Sequence, residues 1–140
     1  MSESAEILLV EDSPEDVFLF RRALALIGAD VRCGVVNTAT AASLYLKQEG
    51  DYSGATAPKL IVSDSVYDAE LGTDLLQWVR AHPRFKDIPF VLFTGDGNPR
   101  LANDAMALGA NNVVIKPTDF QEYATKVRDM MSFIKSVPEP

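Results

Sequence analysis

The run Leu60-Ile61-Val62-Ser63, followed by Asp64, is the most informative part of the sequence. An apolar run without alternation is typical of a strand buried on both faces, as in a parallel sheet. Asp64 would then lie where the sheet opens to solvent at its carboxyl edge, which is where open α/β sheets bind ligands. Taken alone, the run also allows Asp64 to be no more than a turn residue.

On either side of this run, apolar stretches alternate with amphipathic ones. We predict five strands, at 7–10, 31–36, 60–63, 88–93 and 112–115. A helix follows each strand: the first is capped by Ser13, the second by Thr38, the third starts at Thr73-Asp74, the fourth ends at Gly109, and the last starts at Thr118 or Asp119. The stretches 49–58 and 65–72 are predicted loops. This alternation predicts a parallel sheet with helices on both faces and right-handed crossovers.

The composition bounds the class of protein. With 140 residues the chain fits one domain, with a core of about 6–135. The net charge of −7 opposes binding to nucleic acid or to anionic lipid. We see no membrane-spanning run and no signal peptide, and so we expect a cytoplasmic protein. Cys33 is the single cysteine, which excludes an internal disulfide.

Polar residues follow four of the five predicted strands. Glu11 and Asp12 follow the first, Asp64 the third, Thr94 the fourth and Lys116 the fifth. The carboxyl ends of parallel strands meet at one edge, so these residues are predicted to form one site. Three carboxylates at one place repel each other unless a cation joins them, and an all-oxygen donor set indicates magnesium.

Such a site suits the transfer of a phosphoryl group to Asp64. The cation would neutralise charge on the phosphoryl oxygens, Lys116 would pair with another oxygen, and Thr94 would donate a hydrogen bond. Plainer interpretations stay open. Glu11 and Asp12 could only complement the dipole of the helix that follows them, and Lys116 could be an ordinary solvated lysine.

These residues resemble a known family, the receiver domains of two-component response regulators. The resemblance runs from Ile7 to about Ile134 and rests on four motifs, Glu11-Asp12, Asp64 with Gly72 after it, Thr94-Gly95 and Lys116-Pro117. It implies a flavodoxin-like doubly wound (βα)5 fold with strand order 2-1-3-4-5. It also implies a stand-alone switch that a sensor histidine kinase or histidine phosphotransfer protein phosphorylates at Asp64.

The resemblance further implies roles for individual residues. Magnesium would be held by Asp12, Asp64 and the backbone carbonyl of Val66, with Glu11 acting through water. The backbone N–H groups of Ser65 and Gly95 would reach the phosphoryl oxygens.

A narrower similarity concerns the partners. The acidic start at 11–16 and the long loop before the third strand are similar to regulators that accompany bacteriophytochrome kinases. The family likeness also implies a homodimer through the fourth helix, the fifth strand and the fifth helix.

Three positions depart from the family pattern. Asp68 stands where many receivers have proline, which should loosen the loop after Asp64. Val113 replaces the usual aromatic switch residue, so the common coupling of that residue to Thr94 is not expected here. Val66 occupies a position where a polar residue often influences dephosphorylation.

Other classes fit less well. A haloacid-dehalogenase-like phosphatase needs a second aspartate two residues after the nucleophile, but Val66 cannot move a proton. A flavodoxin-like flavin binder needs a phosphate loop where this chain has the acids of 11–16, which repel phosphate. A degenerate receiver that acts as a phosphorylation-independent interaction module is the remaining alternative.

Overall fold

The computed structural model describes residues 5–67 and 70–135 of the chain. Its elements, in chain order, are β1 (Ala5–Val10), α1 (Pro14–Leu26), β2 (Val31–Val36), α2 (Ala39–Lys47), a 3-10 turn (Gly50–Tyr52), β3 (Leu60–Ser63), β4 (Val66–Tyr67), β5 (Glu70–Leu71), α3 (Gly72–Ala81), β6 (Phe90–Thr94), α4 (Pro99–Ala107), β7 (Asn112–Ile115), α5 (Phe120–Met130) and α6 (Ser132–Lys135). None of the helices in these two ranges combines the length and apolar character needed to cross a membrane.

The main sheet has five parallel strands in the order β2-β1-β3-β6-β7. Counted along the chain without the short strands β4 and β5, this is the order 2-1-3-4-5. The predicted flavodoxin-like fold is therefore confirmed. β1, β3 and β6 form the middle of the sheet, and all residues of β3 and β6 are buried. This burial explains why their sequences are continuously apolar rather than alternating.

The core lies in two layers, one on each face of the sheet. Successive side chains of a strand point to opposite faces, so Ile61 and Leu92 pack with α2 and α3. Their neighbours Val62 and Val91 pack with α1 and α5 on the other face.

The helix ends follow the sequence signals. Ser13 Oγ accepts a hydrogen bond from Asp16 N at the start of α1, and Thr38 Oγ1 accepts one from Ala41 N at the start of α2. Gly28, with a φ of 68°, terminates the first helical segment in the left-handed region that glycine adopts without strain. These caps confirm the predicted boundaries.

The predicted loop at 65–72 is partly wrong. Val66 pairs with Leu71 in a short antiparallel ribbon, β4 and β5, and α3 begins at Gly72 rather than at Thr73. Glu70 Oε1 in this ribbon accepts a hydrogen bond of 2.9 Å from Ala39 N, and so closes the start of α2. The expectation for Asp68 lies outside the described residues.

Three other boundaries differ from the predicted ones. The fourth strand of the main sheet is Phe90–Thr94, since Pro89 has no N–H to donate, although its carbonyl accepts Ile61 N. The predicted loop at 49–58 contains a 3-10 turn. The predicted last helix is divided into α5 and α6 at Met131.

A polar cluster between β1, β2 and α2 was not predicted from the sequence. Glu6 is only 6 % exposed, and its carboxylate accepts a hydrogen bond from the Tyr45 hydroxyl on α2 and lies 3.5 Å from Arg32 Nε. Gly34 leaves the space for this contact, because a Cβ there would overlap the Tyr45 hydroxyl.

Arg80 stabilises the edge of the sheet that lies opposite to the carboxyl ends of the strands. Its guanidinium donates hydrogen bonds to the carbonyl oxygens of Gly109, Lys86 and Ile88 and to Asn111 Oδ1, at 2.7 to 3.1 Å. One side chain thus ties the connection before β6 to the connection before β7.

Candidate functional site

The carboxyl edge of the main sheet brings the predicted residues together at the ends of four strands. Backbone hydrogen bonds extend the strand pairing to this point: Glu11 N donates to Val36 O, Asp64 N to Val10 O, and Lys116 N to Thr94 O. Glu11 and Thr94 are buried, and Asp64 and Lys116 are partly buried. The backbone therefore holds all four side chains at the edge where ligands bind in open α/β sheets.

Lys116 is surrounded by carboxylates. Its Nζ lies 2.9 Å from Glu11 Oε1, 3.2 Å from Asp16 Oδ2 and 3.7 Å from Asp64 Oδ2. It also lies 5.8 Å from the centre of the Phe93 ring, which covers the ammonium from the core side. The lysine is therefore within reach of any group bound to Asp64, and it is not an ordinary solvated lysine.

The ionisation of the Glu11–Lys116 pair follows from this geometry. Burial raises the pKa of the Glu11 carboxyl, and the hydrogen bond and charge of Lys116 only partly oppose this effect. Burial by itself would lower the pKa of Lys116, but the hydrogen bond to Glu11 and the charges of Glu11, Asp64 and Asp16 raise it. Lys116 is therefore a stable cation at neutral pH.

Three carboxylates form a candidate cation site. Oxygen atoms of Glu11, Asp16 and Asp64 all lie within 4.8 Å of one another. An all-oxygen donor set suits a hard divalent cation such as magnesium. Asp12 is exposed beside these residues and is not one of the three.

Asp16 is not among the site residues predicted from the sequence. The Ser13 cap places the first turn of α1 over the sheet edge, and Asp16 reaches Lys116 from there. The concentration of acids in 11–16, between a strand and a helix, was the signal available in the sequence.

The Thr94 hydroxyl links two loops of the site. Thr94 Oγ1 lies 2.7 Å from Ser65 Oγ and accepts a hydrogen bond of 2.9 Å from Asp96 N. The backbone N–H of Ser65 donates a hydrogen bond of 2.7 Å to Asp64 Oδ1. Gly95 directly follows Thr94 and is exposed.

Gly72 allows the ribbon to close against the site. A Cβ at this position would lie 2.2 Å from the backbone oxygen of Asp64 and 3.0 Å from Ser63 Oγ and Leu92 Cδ1. Gly72 N also donates to Ser65 O at 2.8 Å. The glycine of the family motif is therefore required by the close approach of two backbone segments.

The two hydrophobic departures from the family pattern lie in different surroundings. Val66 opens the ribbon at the rim of the site and is 52 % exposed. Val113 in β7 is partly buried and packs against the core layer that contains Leu92. Because valine has no aromatic ring, Val113 cannot act as the aromatic switch residue of the family pattern.

Known proteins resemble this chain in sequence and in fold. The family model described as "Response regulator receiver domain" matches residues 7–128. The response regulator Rcp1 of Synechocystis sp. is 28 % identical over 127 residues, which are 91 % of this chain and 86 % of that protein.

Two solved structures resemble the whole chain. The phosphorylated cyanobacterial phytochrome response regulator RcpA has a TM-score of 0.86 at 27 % identity, and the alignment covers 97 % of each chain. The Mn²⁺-bound form of Rcp1 has a TM-score of 0.84 at 28 % identity and covers 97 % of this chain and 99 % of that chain. The match to the family model over most of the sequence shows that the protein belongs to the response regulator receiver domain family.

Proposed function

We propose that this receiver domain accepts a phosphoryl group at Asp64 in the presence of magnesium and acts as a conformational switch. The observation that carries the proposal is the position of Lys116, whose Nζ lies 3.7 Å from Asp64 Oδ2 while it also pairs with Glu11 and Asp16. The phosphorylated state of the similar regulator RcpA supports the same role.

In this reaction an oxygen of Asp64 attacks the phosphorus of the donor. The new O–P bond forms as the donor's bond to phosphorus breaks, and the donor leaves with the electron pair of that bond. Lys116 and the Thr94 hydroxyl stabilise negative charge on the phosphoryl oxygens, and the N–H groups of Ser65 and Gly95 bind the same oxygens.

Magnesium, when bound, would neutralise further charge on these oxygens. We propose Asp12, Asp64 and the backbone carbonyl of Val66 as its ligands, with Glu11 acting through water. The group of three carboxylates adds Asp16 to the candidates. The Mn²⁺-bound form of Rcp1 supports a divalent cation in this family.

The proposed donor is a sensor histidine kinase or a histidine phosphotransfer protein in the cytoplasm. Similarity to a phytochrome response regulator favours a bacteriophytochrome kinase. We also propose that the protein forms a homodimer through α4, β7 and α5 and that it does not bind nucleic acid.

Labelling with acetyl phosphate tests the proposal and separates it from a phosphorylation-independent interaction module. Incubated with acetyl phosphate and magnesium, the protein should gain the mass of one phosphoryl group, located by peptide mapping on the segment that contains Asp64. Chelation of the metal should prevent the gain. Protein that stays unmodified in excess donor and magnesium would favour the interaction module.

Magnesium affinity should depend on the acids that follow β1. Asp12→Ala removes one of few carboxylates, and we expect the affinity to fall about ten-fold or more, or roughly 1.4 kcal/mol. Asp16→Asn tests the added candidate in the same titration. Isothermal calorimetry provides the measurement.

Asp51→Ala is the matched control for this titration, because it removes one exposed carboxylate from the 3-10 turn and changes the net charge by the same amount as Asp12→Ala. An affinity of Asp12→Ala equal to that of Asp51→Ala would remove Asp12 from the proposed ligands.

A further inference from the structure

A groove lies beside the site, between the β4–β5 ribbon and α4. We name it the ribbon–α4 groove. It encloses about 540 Å³, and its lining includes Val66, Leu71, Asp96, Leu101, Asp104 and Leu108. The proposed function uses backbone groups of Ser65 and Val66 but assigns no ligand to the side chains of this groove.

Both walls of the ribbon–α4 groove carry apolar side chains. Val66 and Leu71 are cross-strand partners in the ribbon, and they are 52 % and 47 % exposed. Leu101 and Leu108 come from the opposite wall. Exposed apolar side chains gathered in one place indicate an interaction surface, whereas isolated ones do not.

The charge of the groove selects the kind of partner. Among its lining residues the ionisable ones are Asp96 and Asp104, both acidic and exposed. The chain as a whole carries a net charge of −7. A groove lined by apolar side chains and two acids fits a segment that presents leucine-like side chains flanked by lysine or arginine, and it repels acidic peptides.

The groove is also connected to the site. Ser65 belongs to one wall and Asp96 to the other, and both are hydrogen-bonded to the same atom, Thr94 Oγ1. If Thr94 turns its hydroxyl towards a phosphoryl group on Asp64, this link between the two walls is weakened.

We propose that the ribbon–α4 groove binds a short basic amphipathic segment of a partner protein, and that the Thr94 hydroxyl couples this binding to the state of Asp64. The coupling rests on the proposed function, whereas the binding itself does not. The groove binds the segment while the Thr94 hydroxyl links its two walls. Phosphorylation of Asp64 weakens this link and releases the segment.

The binding is tested with a synthetic helical peptide of leucine and lysine, labelled for fluorescence anisotropy. A peptide with the same apolar face and glutamate in place of lysine is the charge control, and it should not bind. Leu71→Ser should weaken binding of the leucine–lysine peptide about ten-fold, because it removes apolar contact area. Asp104→Asn should weaken it about three-fold in low salt.

Matched controls make the same chemical changes elsewhere. Ile115→Ser alters a comparably exposed apolar residue on β7, and Asp129→Asn alters an exposed acid on α5. Both should leave the affinity unchanged. Equal losses in Leu71→Ser and Ile115→Ser, or equal binding of the glutamate peptide, would overturn the proposed docking site.

The coupling is tested without phosphorylation by Thr94→Val, which removes the hydroxyl and keeps the shape of the side chain. We expect it to weaken peptide binding at least about three-fold, and Thr94→Ser should restore most of the affinity. Unchanged binding in Thr94→Val would overturn the coupling. Beryllofluoride treatment of the unaltered protein should weaken binding in the same way. A failure of acetyl phosphate labelling would count against the proposed function and leave the Thr94→Val result intact.

Discussion

Asp64→Asn is expected to abolish phosphoryl uptake from acetyl phosphate. An amide is a far weaker nucleophile than a carboxylate, and the substitution also removes one oxygen donor from the group with Glu11 and Asp16. The fold should survive, since the asparagine oxygen can still accept the hydrogen bond that Ser65 N donates to Asp64 Oδ1. Intact-protein mass spectrometry after incubation with acetyl phosphate and magnesium measures the result.

Asp74→Asn is the control for this experiment, because it makes the same change at an exposed acid in the first turn of α3. It should be labelled like the unaltered protein. Labelling of Asp64→Asn at the normal extent would show that the acceptor is another residue.

Gly72→Ala is expected to cause the largest loss of stability. The added methyl group would lie 2.2 Å from the backbone oxygen of Asp64, so that the end of β3 or the start of α3 must move. Overpacking of this kind costs about 1 to 3 kcal/mol and sometimes more. Since the contacted atom belongs to the backbone and cannot rotate away, we expect the free energy of unfolding to fall by about 3 kcal/mol in urea denaturation.

Gly54→Ala is the matched control, because a Cβ at Gly54 meets no atom within 4 Å. Its free energy of unfolding should change by no more than about 0.5 kcal/mol, as for ordinary surface substitutions. A midpoint for Gly72→Ala equal to that of Gly54→Ala would contradict the close packing at the start of α3.

The sequence predicted the main sheet and the positions of Glu11, Asp64, Thr94 and Lys116 for one physical reason. In a parallel sheet all strands end at the same edge, so a polar residue after an apolar run is placed by the topology alone. No knowledge of side-chain directions was required. The caps Ser13 and Thr38 were predictable because capping depends on local sequence.

Features that depend on distant contacts were not predictable in this way. The contact of Asp16 with Lys116 depends on how α1 is seated on the sheet, and the two residues are 100 positions apart. Strands of two residues, such as β4 and β5, are too short to show any periodicity. The burial of Glu6 depends on Tyr45, which lies 39 positions further along the chain.

The hydrogen bonds of Arg80 make the two ends of the molecule unequal in local stability. At the braced end, four hydrogen bonds from one guanidinium hold the connections before β6 and β7. At the other end, Gly95 to Asn98 are exposed and Val66 and Leu71 face solvent. Local opening needs less free energy where few buried contacts must break. Amide hydrogens at the start of β6 should therefore exchange with deuterium much more slowly than those of the loop after Thr94. The end of the molecule that carries the site can then rearrange while the end held by Arg80 keeps the strands in register.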